Sequence, residues 1–335
     1  MQTDRSPLQS TFRVGPLDMR NRVALAPMSG VTDLPFRKLA WETGAGFVVT
    51  EMVASRELVS NTAESWSRLR NSGIEPHIVQ LAGRDPVYMA EGARMAEANG
   101  ASVIDINMGC PAKKVTGGLS GSALMREPEL ALAIVDAVVA AVRVPVTVKM
   151  RLGWDEHSIN APSLAREAEM RGARMITVHG RTRMQFYEGR ADWDRIAEVR
   201  AAIGVPLIAN GDVETIADVH DILRRSGADA VMLGRGAQGR PWHPGVLAGM
   251  RTAPERAEIA PFFERHYRMM LEFYGRELGL RHARKHVGWY LDRHAGPVPS
   301  QAKGEILTSR DPEFVVARVR DLILGAPPAD MSEAA

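Results

Sequence analysis

Between Val23 and Gly234, eight short β-rich apolar runs alternate with helix-like stretches, and this alternation narrows the possible folds sharply. The runs are Val23–Ala26, Phe47–Thr50, His77–Gln80, Val103–Asn107, Val146–Lys149, Met175–His179, Leu207–Asn210 and Ala230–Gly234. Their starts lie 23 to 43 residues apart, the spacing of strand–helix units with parallel strands. Runs two, four, six and eight follow Gly44-Ala45, Gly100-Ala101, Gly172-Ala173 and Gly227-Ala228, where each glycine suits the left-handed cap that ends a helix. Runs three, five and seven follow Pro76, Pro145 and Pro206, which stop the preceding helix without removing a central ladder bond. Asp85-Pro86 supplies an N-cap and an N1 proline for the helix that ends near Asn99-Gly100. Eight such units predict an α/β chain folded as a (β/α)8 TIM barrel, with a doubly wound open sheet as the alternative. Phe12–Leu17 reads as a short hairpin that closes the barrel's N-terminal end.

After Pro241-Trp242-His243-Pro244 the pattern turns helical, with helices expected at Ile259–Leu278, Leu280–His294 and Pro312–Leu324. The chain therefore divides into a barrel at 1–250, a helical domain at 251–324 and a disordered tail at 325–335. Nine Lys/Arg against six Asp/Glu fall between Arg251 and Arg293, whereas the whole chain balances 42 cations against 40 anions for a net charge of +2. That balance permits an anionic partner without demanding one. A single cysteine, Cys110, excludes an internal disulfide and fits a reducing compartment. The N-terminus is polar, and no apolar run reaches the ~18 residues of a membrane span, so a cytoplasmic location without membrane contact is expected.

Barrels place chemistry at the C-terminal ends of their strands. In chain order those ends offer Pro27-Met28-Ser29, Glu51, Gln80, Asn107 with Cys110 beyond it, Lys149 with Arg151, His179-Gly180-Arg181, Asn210-Gly211-Asp212 and Gly234-Arg235. Each has a bland reading. A lone cysteine is usually packed and inert, a lone histidine is usually a satisfied core residue, and Lys149 could be a solvated strand end. Polar groups at the same end of nearly every strand, however, converge on one rim, which folding alone does not require.

The last two strands carry the most specific signal, because Asn210-Gly211-Asp212 and Gly234-Arg235-Gly236 lie where barrels bind phosphate. The run Gly234-Arg235-Gly236-Ala237-Gln238-Gly239 also matches the dinucleotide fingerprint, yet it leads into Pro241, Pro244 and helices rather than another strand ending in an acid. A monophosphate cradle follows, which suits FMN better than NAD or FAD. Lys149, on the strand beside the cysteine turn, would stabilise the negative charge of a reduced flavin ring. No metal site is expected.

The chain resembles the tRNA-dihydrouridine synthase family. The stretches that carry the resemblance are Ala26-Pro27-Met28-Ser29-Gly30-Val31-Thr32-Asp33, Thr50-Glu51-Met52, Val79-Gln80-Leu81, Asp105-Ile106-Asn107-Met108-Gly109-Cys110-Pro111, Val148-Lys149-Met150-Arg151, Val178-His179-Gly180-Arg181-Thr182, Asn210-Gly211-Asp212 and Gly234-Arg235. Ala112-Lys113-Lys114, Gly234–Trp242 and Ala283–Tyr290 look most like the bacterial DusB branch. The resemblance implies an FMN enzyme, reduced by NADPH or NADH, that saturates C5=C6 of uridine in tRNA. By the same resemblance Cys110 is the proton donor. Pro27, Met28 and Ser29 line the flavin, Gln80 and Lys149 contact its ring, and His179, Asn210, Gly211, Asp212, Gly234 and Arg235 complete its contacts. Asn107 and Arg151 position the uridine, while Lys113, Lys114, Arg284 and Lys285 meet tRNA phosphates. A thiol near its ordinary pKa is mostly protonated at neutral pH and can donate, so this cysteine acts as an acid. No stable protein partner is implied. An FMN barrel that reduces a small pyrimidine or enone, or an inactive barrel that only binds RNA, are the competing readings.

Overall fold

The computed structural model describes residues 7–71, 73–112 and 119–325. Lys113, Lys114 and the tail beyond 325, with the expectations placed on them, lie outside the described residues. The chain forms two compact units: Met1–Gly236 with His243–Arg251, and Ala237–Trp242 with Thr252–Ala335.

The first unit begins with a hairpin, β1 (Phe12–Val14) and β2 (Leu17–Met19), turned at Gly15. The main sheet follows with β3 (Val23–Leu25), β4 (Val53–Ala54), β5 (Ile78–Ala82), β6 (Val103–Met108), β7 (Val146–Arg151), β8 (Ala173–His179), β9 (Leu207–Asn210) and β10 (Ala230–Leu233). All its pairings are parallel, in the order β3-β10-β9-β8-β7-β6-β5-β4. The second expected strand, Phe47–Thr50, is not a continuous strand. It closes the ring through single parallel bridges, Leu25 to Val48 and Val49 to Ile78. The ladder stops there because the Gln80 N–H donates to the Thr50 hydroxyl (3.0 Å) instead of to a backbone carbonyl. The barrel expected from the eight runs is the fold, and the open sheet is excluded.

The strands separate two apolar cores. Outward-facing side chains such as Val79, Ile104, Ile106, Val148 and Ile176 pack under the surrounding helices. Inward-facing Ala24, Val49, Ile78, Val103, Met175, Ile208 and Met232 form a second cluster with Phe12, Val14 and Met19 of the hairpin, which stops the N-terminal end of the barrel. Two residues further along, the same inward face turns polar: Val103 gives way to Asp105 and Asn107, Met175 to Thr177 and His179, Ile208 to Asn210, and Ile78 to Gln80. Strand alternation keeps all of these on one side of the sheet.

The second unit contains the helices Arg256–Tyr274, Arg276–His294, Ser300–Thr308 and Pro312–Gly325. The break between the first two falls at Gly275 (φ 76°), a conformation that favours glycine, and not at Gly279 as the sequence suggested. Gly279 lies inside the second helix where a Cβ would meet Leu271 Cα at 2.8 Å, so this glycine allows a close approach between the two helices. Their core holds Phe263, Tyr267, Met270, Val287, Tyr290 and Val319. No helix among the described residues is long and apolar enough to cross a membrane.

Candidate active site

The parallel register aligns the polar residues into rungs. Gln80 lies opposite Asp105, and Asp105 opposite Thr147. One step higher, Asn107 faces Lys149. Above that, Arg151 pairs with His179, which pairs with Asn210. The hydrogen bonds follow these rungs. Thr147 Oγ1 and Gln80 Nε2 donate to the two oxygens of Asp105 at 2.6 and 2.7 Å. The Gln80 amide oxygen, its orientation thereby fixed, accepts from Asn107 Nδ2 at 2.6 Å. Asn107 Oδ1 in turn accepts the N–H groups of Gly109 (3.1 Å) and Cys110 (3.0 Å). A chain of bonds thus runs from the floor of the polar layer to the backbone of the only cysteine. Burial pushes the Asp105 carboxyl up, against the bonds from Gln80 and Thr147 and the charge of Lys149.

Arg151 holds the same turn from the other side. It is buried, and its Nε donates to Gly109 O at 2.9 Å while Nη1 donates to Thr182 O (2.7 Å) and Phe186 O (2.8 Å). Ser122 fastens the carbonyl of Cys110 through its hydroxyl (2.9 Å) and N–H (3.0 Å). The cysteine is half-buried, and burial raises its thiol pKa, outweighing the Ala112 N–H and the charges of Arg151 and Lys149. Asn107 and Arg151, expected to position substrate, are committed to this turn. Arg151 also lies 5.5 Å from the Tyr187 ring, on a loop the sequence did not single out.

Lys149 donates to Asn210 Oδ1 at 3.0 Å, and Asn210 is oriented by its own bond to Met232 O at 2.7 Å. Desolvation lowers the Lys149 pKa to about 8, with Arg151 adding to the shift and Asp105 and Cys110 opposing it. His179 is held neutral, chiefly by desolvation and then by Arg151, Lys149, Arg181 and Arg235. Because a guanidinium only donates, the 3.3 Å contact between Arg181 Nη1 and His179 Nε2 leaves the ring proton on Nδ1.

Arg181, visible in the sequence at its strand end but given no role there, is an anchor of the site. Buried at the end of β8, it grips Asp212 through two bonds of 2.8 and 2.6 Å and reaches the carbonyls of Glu188 and Gly189. Asp212 also accepts from the Ala191 N–H at 2.7 Å. Burial alone would raise the Asp212 carboxyl, but these donors hold it below the usual range. Its backbone (φ 55°) and that of Gly211 (φ 124°) turn sharply, and a Cβ on Gly211 would lie 2.6 Å from Ala191 Cβ, so only glycine fits. Gly234 adjoins Met28, whose N–H is fixed by Thr32 Oγ1 at 2.8 Å, and Glu51 accepts the Gly30 N–H. Pro27 and Met28 are half-buried and Ser29 is exposed, as is Arg235, which lies over Tyr187 at 5.2 Å. Arg284 and Lys285 are exposed on the helix Arg276–His294 in the second unit. Asp105, Thr147 and Arg181 had one visible signal: polar residues two apart on a strand whose lower positions are apolar.

The mouth can therefore hold an anion and present an acid. Arg151, Lys149, Arg181 and Arg235 all act on His179, and Asp212 is ion-paired to two of these cations, Arg181 and Arg235. FMN, with its phosphate and its negatively charged reduced ring, fits this donor set. The fold and site together define a flavin-type barrel oxidoreductase.

Comparisons agree. The family model for dihydrouridine synthase (Dus) matches residues 24–313. A probable tRNA-dihydrouridine synthase of Rhizobium leguminosarum is 66% identical over 303 residues, covering 90% of this chain and 95% of that relative. The tRNA-dihydrouridine synthase B of Xanthomonas axonopodis is 44% identical, covering 97% of this chain and all (100%) of the relative. Among solved structures, TcOYE with pHBA aligns with a TM-score of 0.56 at 13% identity, covering 75% of this chain and 94% of that one. Morphinone reductase with tetrahydroNAD aligns at 0.52 and 15%, covering 74% and 92%. These two share the fold. The chain belongs to the dihydrouridine synthase family.

Proposed function

We propose that this protein reduces a uridine of tRNA to 5,6-dihydrouridine at the barrel mouth, with Cys110 as the acid. Family membership makes it an FMN-dependent oxidoreductase with NAD(P)H as reductant. The observation that carries the assignment of the acid is the Gly109–Cys110 turn, fixed by Asn107 and Arg151, with a thiol kept protonated by burial. FMN held at this mouth would supply the hydride for C6 of uracil. That addition leaves enolate character across C4 and C5, and C5 takes its proton from the Cys110 Sγ–H.

The other residues prepare that transfer. Lys149, aimed by Asn210, provides positive charge at the flavin ring, and Gln80, fixed between Asp105 and Asn107, borders the same ring. Pro27, Met28 and Ser29 line it. Gly211, Gly234 and Arg235 take the phosphate, with Asp212 and His179 shaping that cradle through Arg181. Asn107 and Arg151 serve the uridine through the turn they hold. A base within folded tRNA reaches such a mouth only when extruded from its stack, and the exposed Arg284 and Lys285 meet the RNA backbone.

The test is direct. The FMN-loaded protein, given NADPH and an unmodified tRNA transcript, should form dihydrouridine at one or a few positions. Flavin that NADPH reduces, but that reduces small enones and leaves the transcript untouched, would overturn the tRNA substrate.

A further inference from the structure

The guanidinium of Arg151 has the cysteine turn on its Nε and the 182–186 loop on its Nη1. That loop and the segment after β7 border an open, solvent-facing depression of about 470 Å³ whose lining includes Trp154, Asp155, Glu156, Thr182, Met184 and Gln185. Hydrogen bonds tie the two walls together. The N–H groups of Arg183 and Met184 donate to Gly153 O (3.0 Å) and Trp154 O (2.9 Å), so the two segments are laddered together. Gln185 Oε1 accepts the Thr182 N–H at 2.7 Å, and Asp155 Oδ1 accepts from His157 N (3.0 Å) and Ser158 Oγ (2.8 Å). Gly153 is confined, since a Cβ there would lie 2.3 Å from Ser158 O.

The chemistry of the lining is specific. Two guanidiniums lie over the Trp154 ring, Arg126 at 3.9 Å and Arg183 at 4.7 Å from its centroid. Met184 is 57% exposed, apolar surface that the barrel core does not use. Guanidinium planes, here backed by the indole, are surfaces on which unstacked RNA bases settle. Glu156 binds Arg195 through Oε2 (3.1 Å), and Asp155 spends Oδ1 within its own turn, so each carboxylate keeps one oxygen uncommitted among the described bonds. Those acceptors match a base edge with two adjacent donors. Guanine offers N1–H and N2–H2, whereas uracil turns two carbonyls toward the carboxylates. The same carboxylates repel a pyrophosphate, which weighs against the purine end of a nicotinamide dinucleotide.

We infer that this depression is a second base site, which takes one nucleobase of the tRNA, preferentially guanine, next to the uridine being reduced. The inference rests on the tRNA reading above. Its position beyond Arg151 lets one buried side chain back both the acid turn and the base site.

The experiment uses FMN-loaded full-length protein and an unmodified tRNA transcript, with binding measured by fluorescence anisotropy without NADPH so that no turnover intervenes. Trp154→Ala, which removes the ring that backs both guanidiniums, should weaken tRNA binding about 10-fold or more. Trp154→Phe should restore most of it, and FMN content and the rate of flavin reduction by NADPH should stay at wild-type values in both. Inosine in place of guanosine, which removes the N2 amino group, should weaken binding to the wild type but not to Glu156→Gln. Unchanged tRNA affinity in a Trp154→Ala protein of wild-type melting temperature overturns the base site. A raised KM for NADPH with unchanged tRNA affinity does the same and assigns the depression to the dinucleotide. Equal binding of inosine and guanosine transcripts overturns the guanine preference. A wild type that binds tRNA through Trp154 yet forms no dihydrouridine defeats the catalytic reading and leaves the base site standing.

Discussion

The two ends of the barrel interior are made by the same strands, yet they obey different rules. At the N-terminal end the apolar side chains of Ala24, Ile78, Val103, Met175 and Ile208, with Phe12, Val14 and Met19 of the hairpin, simply fill space. At the other end Gln80, Asp105, Asn107, Arg151 and Asn210 are nearly as buried, and their polar atoms are aimed at one another or at named backbone groups. A polar group taken from water costs free energy unless it is bonded, so the upper layer is the costlier one to build. Cys110 and Lys149 are its half-open members. The lower layer supplies stability, and the upper layer uses it to hold reactive groups in fixed places.

Substitutions at the two ends should therefore separate rate from stability. The largest effect is expected for Cys110→Ala, which should keep its flavin and its reduction by NADPH but lose about 100- to 10,000-fold in dihydrouridine formation, the span for removing a positioned acid. Single-turnover assays of the pre-reduced enzyme check it. Arg181→Met should affect both properties. It strands the half-buried Asp212 carboxylate, costing about 3 kcal/mol of stability in denaturant titrations, and it should also lower FMN retention on gel filtration. Ile208→Ala, at a fully buried site of the lower layer, should cost about 2–4 kcal/mol of stability and leave kcat at a permissive temperature within twofold. A large fall in kcat there would break the comparison.

The smallest expected effect is that of pH. The folded Lys149 value of about 8 lies below the ordinary 10.5. Between these values the folded chain binds fewer protons than the unfolded one, so the lysine's contribution to stability rises with pH across that window. Its charge is lost over the same interval, so affinity for FMN should fall modestly as pH passes 8, and Lys149→Met should abolish that fall. The thiol behaves oppositely. Raised by burial, it should alkylate slowly at neutral pH and remain competent as an acid beyond the range where an ordinary thiol ionises.

The barrel was legible because its punctuation repeats: Gly-Ala and proline mark the starts of seven of the eight runs, and the inward face changes from apolar to polar at matching heights. The short second strand was not, since nothing in Phe47–Thr50 reveals that Thr50 substitutes its hydroxyl for a carbonyl. The residues of the rim were visible as a set, but their wiring was not. Asn107 and Arg151 looked free to meet a substrate because a sequence does not show which donors the protein itself consumes. Arg181 was seen at its strand end and left without a part, because its value lies in Asp212, 31 residues away. In the helical unit, composition showed cations and helices, yet Gly275 and Gly279 exchange roles. One needs a left-handed backbone and the other needs the absence of a side chain, and a bare glycine does not say which.

Arg151 has a kinetic consequence. One guanidinium closes Gly109, Thr182 and Phe186 together, so the loops after β6 and β8 share a single latch. Fluctuations that open one should open the other, and the amide hydrogens of Gly109, Cys110, Arg183 and Met184 should exchange with solvent at one common rate, as a single cooperative unit. An extruded base would then meet a mouth that opens as a whole or stays shut.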